Sequence, residues 1–307
     1  MSELDVVCIG QATTDYISLV ESLPKSDQRI ESLESAIGYG GPAATAAVTL
    51  ARLGKKVGFM GIVGDDTAGL LILKNLEKEE VDITRVIIMN GATSPHSQII
   101  VEEKSRNRTI ITTGNIRVEI GEINFDITGL PKFLLLDQAG YKYFHDKQLI
   151  TELFRGHSIA IDGGNDIPNL ELTNVNYYMP TRRKIVDLSD DGLNLAESLA
   201  VLVSKGAEQI IFTDGENGSY AFSQGKLVFA SGLDLPIKST LGAGDVFHGA
   251  FVDGIIDGLD IEKNLLRSNL CAAMACSAID GQSGIPTKDR LEEELVKISK
   301  LNLDSHA

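Results

Sequence analysis

Residues 239–255 read STLGAGDVFHGAFVDGI, a Gly-Ala-Gly turn followed by apolar residues at helical spacing: Val246, Phe247, Ala250, Phe251 and Gly254. A glycine-rich turn that opens a helix aims free backbone N–H groups at one spot, and the helix dipole adds partial positive charge there. Such a spot binds anions. Asp245 sits just inside it, where a further negative charge needs a reason. One reason is to accept a proton from a hydroxyl as that hydroxyl attacks phosphorus, while the turn stabilises charge moving onto the transferred phosphoryl oxygens. An acidic residue at a helix N-terminus is also favourable by about 0.3–1 kcal/mol with no chemical role, so the segment alone leaves both readings open. It is not a Walker A loop, because no Lys-Ser or Lys-Thr follows the glycines. It is not a Rossmann fingerprint either, since it lies late in the chain and follows no clear βαβ start. His248 falls one helical turn after Asp245, facing either the same site or the helix surroundings. The remaining histidines are scattered, and the five together predict no metal centre.

The elements that must position this segment are legible as hydrophobic patterns. Residues 4–10 form a continuous apolar run stopped by Gly10, a buried first strand. Residues 38–54 are a Gly-rich turn and a small-residue helix, with Pro42 at its start and Gly54 at its end. A strand over 56–64 and a helix over 65–81 follow. This βαβα order predicts a mainly parallel central sheet flanked by helices, an α/β fold. FLLLD (133–137) and SIAID (158–162) are short strands ending in Asp137 and Asp162, at the strand ends where open α/β sheets bind ligands. Residues 208–222 read as strand, turn, strand, with 226–230 pairing beside them, and helices are expected at 242–258, 261–279 and 287–300. Looser alternation over 15–20, 29–37, 97–102 and 107–113 predicts a small inserted sheet. One domain over residues 1–307 is expected, with lid strands inserted at about 15–37 and 97–113.

The composition narrows the function classes. The 307 residues carry a net charge of −15, with 43% hydrophobic and 23% charged residues and no Trp. An acidic surface repels phosphate backbones and anionic lipid, which argues against nucleic-acid and membrane partners. The same field opposes ATP, so a nucleotide site here must rely on local backbone amides and a metal ion. Cys8, Cys271 and Cys276 lie in apolar contexts at a spacing unlike a zinc site, as buried reduced thiols of a cytoplasmic protein would. The N-terminus has no basic, apolar leader pattern, and no run reaches the roughly 18 apolar residues of a membrane helix.

Four segments in order carry a resemblance over nearly the whole chain: the first strand with Asp15 after it, the Gly40-Gly41 turn, TDGENG (213–218) and GAGDVFHGAF (242–251). Together they resemble the ribokinase-like, PfkB-type carbohydrate kinases. The resemblance implies an α/β core, a small β lid, and in-line transfer of the γ-phosphoryl of ATP with Mg²⁺. It implies that Asp245 is the base and that the backbone of Gly242, Ala243 and Gly244 forms the anion hole. Asp15 resembles the carboxylate that bonds sugar hydroxyls, and Gly40 and Gly41 the turn that lets backbone approach the sugar. Thr213 and Gly215 resemble nucleotide phosphate and ribose contacts, and Asn269 a flank of the adenine. The lid implies exclusion of water, which competes as acceptor, and a homodimer through paired lids. GGPAATAAV with GAGDVFHGA is most similar to the sulfofructose kinase branch, which shares Thr45 as a sugar contact. For a sulfonate, Arg106, Arg108 and Arg117 are candidate cations, but Gln138, Ala139 and Gly140 stand where that branch has an Arg.

The chain departs from the family pattern elsewhere. Ser239-Thr240-Leu241 replaces an Asp-Thr start whose Asp helps hold a monovalent cation, which puts potassium activation in doubt. Thr181, Arg182 and Arg183 stand where Asn and acidic residues that organise Mg²⁺ are expected. Arg182 is therefore a candidate phosphate contact, and Lys238 adds positive charge before the hole. No residue is assigned as a metal ligand. Two other readings stand beside a sugar kinase. One is a nucleoside kinase of the same fold, for which Tyr16 and Tyr39 are the available aromatics. The other is a catalytically weak sugar- or nucleotide-binding sensor.

Overall fold

The computed structural model describes residues 3–106, 108–114, 125–146, 148–187 and 193–304. The first apolar run forms β1 (Val6–Ile9), all of it fully buried. Successive strand residues point to opposite faces, so such burial requires cover on both. Two hydrophobic cores supply it: Val6 and Cys8 enter one, Val7 and Ile9 the other.

The chain continues through β2 (Thr13–Val20), β3 (Glu34–Gly40), α1 (Pro42–Arg52), β4 (Val57–Met60), β5 (Ile62–Gly64), α2 (Thr67–Lys78), β6 (Ile87–Met89), β7 (His96–Glu102) and β8 (Arg108–Thr113). Its second half runs β9 (Phe133–Leu136), α3 (Gln138–Asp146), α4 (Ile150–Phe154), β10 (Ser158–Gly163), β11 (Tyr177–Pro180), α5 (Arg182–Asp187) and α6 (Leu195–Ser204). It ends with β12 (Gln209–Thr213), β13 (Gly218–Ser223), β14 (Lys226–Ser231), α7 (Ala243–Ile256), α8 (Ile261–Ala275) and α9 (Lys288–Asp304).

Eight strands form the main sheet in the order β14-β13-β12-β11-β10-β9-β1-β4. It is parallel from β4 to β12 and antiparallel only where β13 and β14 extend its edge. Residues of α1, α7 and α8 fill the core on the Val6 and Cys8 face, while α3, α4 and α6 fill the other. The helices that follow β1 and β9 therefore lie on opposite faces of adjacent strands. That divergence opens a crevice at the strand C-termini, the usual ligand position in open α/β sheets.

The small sheet has the order β3-β2-β7-β8, with β2 and β7 parallel and the outer pairs antiparallel. Its inner face closes a third core in which Ile17, Ile99 and Val101 meet Ile279. Three expectations need correction. The strand over 56–64 is two strands, broken at Gly61, where a Cβ would lie 2.5 Å from the Gly10 carbonyl oxygen. β4 stays in the main sheet and β5 leaves to pair with β6. The helix over 261–279 ends at Ala275, because the Cys276 carbonyl accepts from the N–H groups of Lys238 and Ser239 and so holds the irregular segment leading to the Gly-Ala-Gly turn. Finally, α3 to α6 are elements that the sequence patterns did not announce.

Candidate active site

Gly242 caps α7 in the left-handed conformation, with φ 72°, a region that strains any residue with a Cβ. A Cβ there would also sit 3.1 Å from the backbone of Gly281. No side chain caps this end of α7; the Ala243 N–H points to the Thr240 carbonyl at 3.3 Å, and a first turn without a side-chain cap leaves its other N–H groups to a ligand. Asp245 stands in that turn. The position of α7 is fixed by α1, whose Ala43, Ala44, Ala46 and Ala47 are all buried. A Cβ at Gly249 would lie 2.8 Å from the Ala46 carbonyl oxygen. Small residues on both helices thus let the backbones approach and tie Asp245 to the Gly40-Gly41 turn that precedes α1.

Three carboxylates converge at the crevice. Burial pushes the Asp245 carboxyl up to about 8; Asp162 and Asp137 add to the rise, and His248 and Arg108 oppose it. Asp162, at the end of β10, places Oδ2 3.0 Å from His248 Nδ1, and both side chains are buried. Burial is the largest influence on Asp162 and acts to raise its pKa, but the His248 charge and contact together with the Gly164 N–H outweigh it and hold the carboxyl below the usual range. One polar atom from each of Asp162, Asp245 and His248 falls within 4.8 Å of the others. Asp137 has a different task. It accepts from the N–H groups of Gln11 (2.8 Å), Ala43 (3.2 Å) and Gly140 (2.9 Å). It therefore ties the starts of α1 and α3 to the end of β1 at the point where those helices diverge. Burial lifts its pKa to about 6 despite those bonds.

Above the crevice, the small sheet contributes Asp15 from β2. Its side chain is buried, accepts from Thr13 Oγ1 at 3.0 Å, and has its pKa raised by burial. A Cβ at Gly40 would lie 2.3 Å from Asp15 Oδ2, and one at Gly41, where φ is 89°, 2.4 Å from the Gln11 carbonyl oxygen. Thr45 lies beneath this turn with 1% exposure, its hydroxyl 3.4 Å from Gln282 Nε2, so the structure turns it to Gln282 rather than to an open pocket. Arg108 of β8 is opposite the fully buried Val101 in register. It reaches down to donate from Nη1 to Thr240 Oγ1 at 2.8 Å, beside the turn. Arg106 is instead a turn residue at φ 56°, and Arg117 lies outside the described residues.

A cavity of about 750 Å³ opens between the Gly-Ala-Gly turn and the β12–β13 turn. Thr213, Gly215, Thr240, Ala243, Gly244 and Asn269 share its wall, which joins three segments far apart in sequence. Asn269 is held there by two 3.0 Å bonds from Nδ2 to the carbonyls of Ala230 and Ser231. Leu233, Leu235 and Phe247 add an apolar stretch suited to a flat ring. Arg182 is not part of that wall. It donates to Asp214 Oδ2 at 2.8 Å and is half exposed. Lys238 pairs with Glu34 at 3.3 Å on the surface, away from the hole. The contact that sequence reading did not join is Asp162 to His248. Its only signal was a strand ending in Asp and a histidine one turn after Asp245.

Comparisons with known proteins bear on the family and the fold. The profile of the family described as pfkB family carbohydrate kinase matches residues 3–147 and 166–288. A ribokinase of Bacillus subtilis is 24% identical over 298 residues, covering 95% of this chain and 99% of that protein. A deoxyribokinase of Salmonella typhi is 26% identical over 303 residues, with coverage of 95% and 99%. The structure of Arabidopsis thaliana ribokinase complexed with ribose and ATP superposes with a TM-score of 0.81 at 22% identity, covering 95% of this chain and 98% of that one. The chain belongs to the pfkB family of carbohydrate kinases.

Proposed function

We propose that this protein phosphorylates a hydroxyl of a sugar with ATP, holding the sugar between the small sheet and the crevice. The observation that carries this reading is the cavity wall that unites the Gly-Ala-Gly turn with Thr213, Gly215 and Asn269, with Asp245 at the turn. The acceptor oxygen bonds to the γ-phosphorus as the bond from that phosphorus to ADP breaks, and Asp245 takes the hydroxyl proton. N–H groups of Gly242 and Gly244, joined by that of Ala243 as it leaves its 3.3 Å bond to the Thr240 carbonyl, stabilise the transferring group, and the lid guanidinium of Arg108 adds positive charge over the same spot. ATP fits the cavity through Thr213, Gly215 and Asn269, and Mg²⁺ on its phosphates supplies charge neutralisation. Arg182, paired with Asp214, then stands near the phosphates without lining the pocket. Neither a sulfosugar nor a nucleoside is favoured. Arg108 is the one lid arginine among the described residues directed at the hole, and Tyr16 and Tyr39 lie on the lid face opposite Asp15 by strand alternation. Three buried free cysteines fit a cytoplasmic setting.

The test is ATP turnover over ketoses, ketose phosphates, sulfofructose, pentoses and nucleosides, with Asp245→Asn alongside. Turnover on one sugar class that falls about 10²–10⁴-fold in the variant, with ATP and sugar still bound, is expected. Near wild-type turnover in Asp245→Asn would remove Asp245 as the base. Silence across the panel in folded protein would favour a binding role.

A further inference from the structure

We infer that His248 is a positioning residue for the transfer step: anchored by Asp162, its imidazolium stands beside Asp245 and favours the ionised, proton-accepting form of that carboxyl. The inference rests on the reading of Asp245 as the base. Asp162 and His248 approach to 3.0 Å with side-chain exposures of 7% and 4%, so neither can rely on water for its charge. A buried carboxylate left without a partner is strongly destabilising. Asp162 Oδ1 accepts the Gly164 N–H at 2.8 Å, and Oδ2 faces the imidazole as an ion-pair contact, with His248 Nδ1 otherwise unpartnered. Asp137, the third acid, is already engaged by three backbone N–H groups. His248 is thus the cation placed among three converging acids from β9, β10 and α7.

The charges acting on Asp245 are Asp162, Asp137, His248 and, from the lid, Arg108. Those acting on His248 are Asp162 and Asp245, which together outweigh burial and raise its pKa. Tyr178 of β11 also faces Asp162, but burial keeps its phenol protonated. A base must be a carboxylate to accept a proton. Burial and two like charges favour the protonated acid, whereas an adjacent imidazolium favours the ionised form. His248 does not itself exchange a proton in the step; the hydroxyl proton ends on Asp245.

The experiment is the pH dependence of kcat/KM in wild type and His248→Asn, joined to NMR titration of the His248 ring nitrogens in wild type and Asp245→Asn. Wild-type kcat/KM should rise with pH as Asp245 ionises. In His248→Asn the rise should move to higher pH by about one unit or more, with the loss greatest at low pH and recovered in alkali. Both ring nitrogens should stay protonated through neutral pH, and Asp245→Asn should lower the titration midpoint by removing an anionic neighbour. A uniform fall in kcat/KM with an unmoved pH profile would reduce His248 to a packing residue. A neutral imidazole at pH 7 in wild type would overturn the inference without any activity assay. If Asp245→Asn turned over normally, the base assignment would fail, while the NMR midpoints would still decide whether His248 and Asp245 interact.

Discussion

Asp15 and Gly40 occupy one volume. The Asp15 carboxylate fills the space a side chain at residue 40 would need, so the glycine serves the acid next to it as much as the turn. Burial raises the Asp15 pKa, while the hydroxyls of Ser97 and Thr13 oppose the rise; in the proposed reading the carboxylate also accepts from a sugar hydroxyl. Asp15→Ala should raise KM for the sugar about 10- to 100-fold, the worth of one or two hydrogen bonds to a charged group, with KM for ATP unchanged. Steady-state kinetics with each substrate varied in turn checks this, and an unaltered sugar KM would remove Asp15 from the site.

Among the elements, the crossing of α1 and α7 sets the distance between the Gly40-Gly41 turn and Asp245. It depends on Gly249 more than on any large side chain, since a Cβ there meets backbone rather than a movable side-chain end. Gly249→Ala should destabilise the fold by about 1–3 kcal/mol, as overpacking does, despite the better helix propensity of Ala. Urea denaturation measures it, and a stabilised variant would show that the helices separate freely. The Ala-rich run over 43–47 was legible as a helix, but its reason, close approach of a second helix, was not. α6 carried a signal that went unused: Asn194 and Glu197 form a capping box in which each side chain bonds the other residue's backbone N–H. α3 and α5 also open on N-caps, Asp137 accepting from the Gly140 N–H at 2.9 Å and Thr181 from the Lys184 N–H at 3.2 Å, but neither is followed by a strong apolar period that would announce the helix.

For the whole molecule, the small sheet has a second face that points away from the crevice. Across it the register aligns Ile37, Tyr16, Gln98 and Ile111 in one row, and Ile37 and Ile111 are 56% and 58% exposed. An apolar row across a lid is the kind of surface a second copy covers, in keeping with the proposed homodimer. Ile111→Glu should shift the protein to monomer in sedimentation velocity, because a symmetric contact would bury the new charge twice. A wild-type protein that sediments as a monomer at micromolar concentration would end that proposal.

The sequence by itself determined what depends on local spacing. The Gly-Ala-Gly-Asp turn and helix, the buried first strand, the parallel order and the four lid strands were all readable, because period and glycine placement act over a few residues. Tertiary structure alone decided which distant groups meet. Asp137 and Asp162 both end a strand with aspartate, yet one is consumed by three backbone N–H groups at the start of two diverging helices and the end of β1, and the other lies 3.0 Å from the His248 imidazole. Arg106 and Arg108 are two residues apart, yet one sits in the turn and the other reaches Thr240. Such partnerships depend on sheet order and helix approach, and these follow from how the two cores close around β1 rather than from any short run of residues.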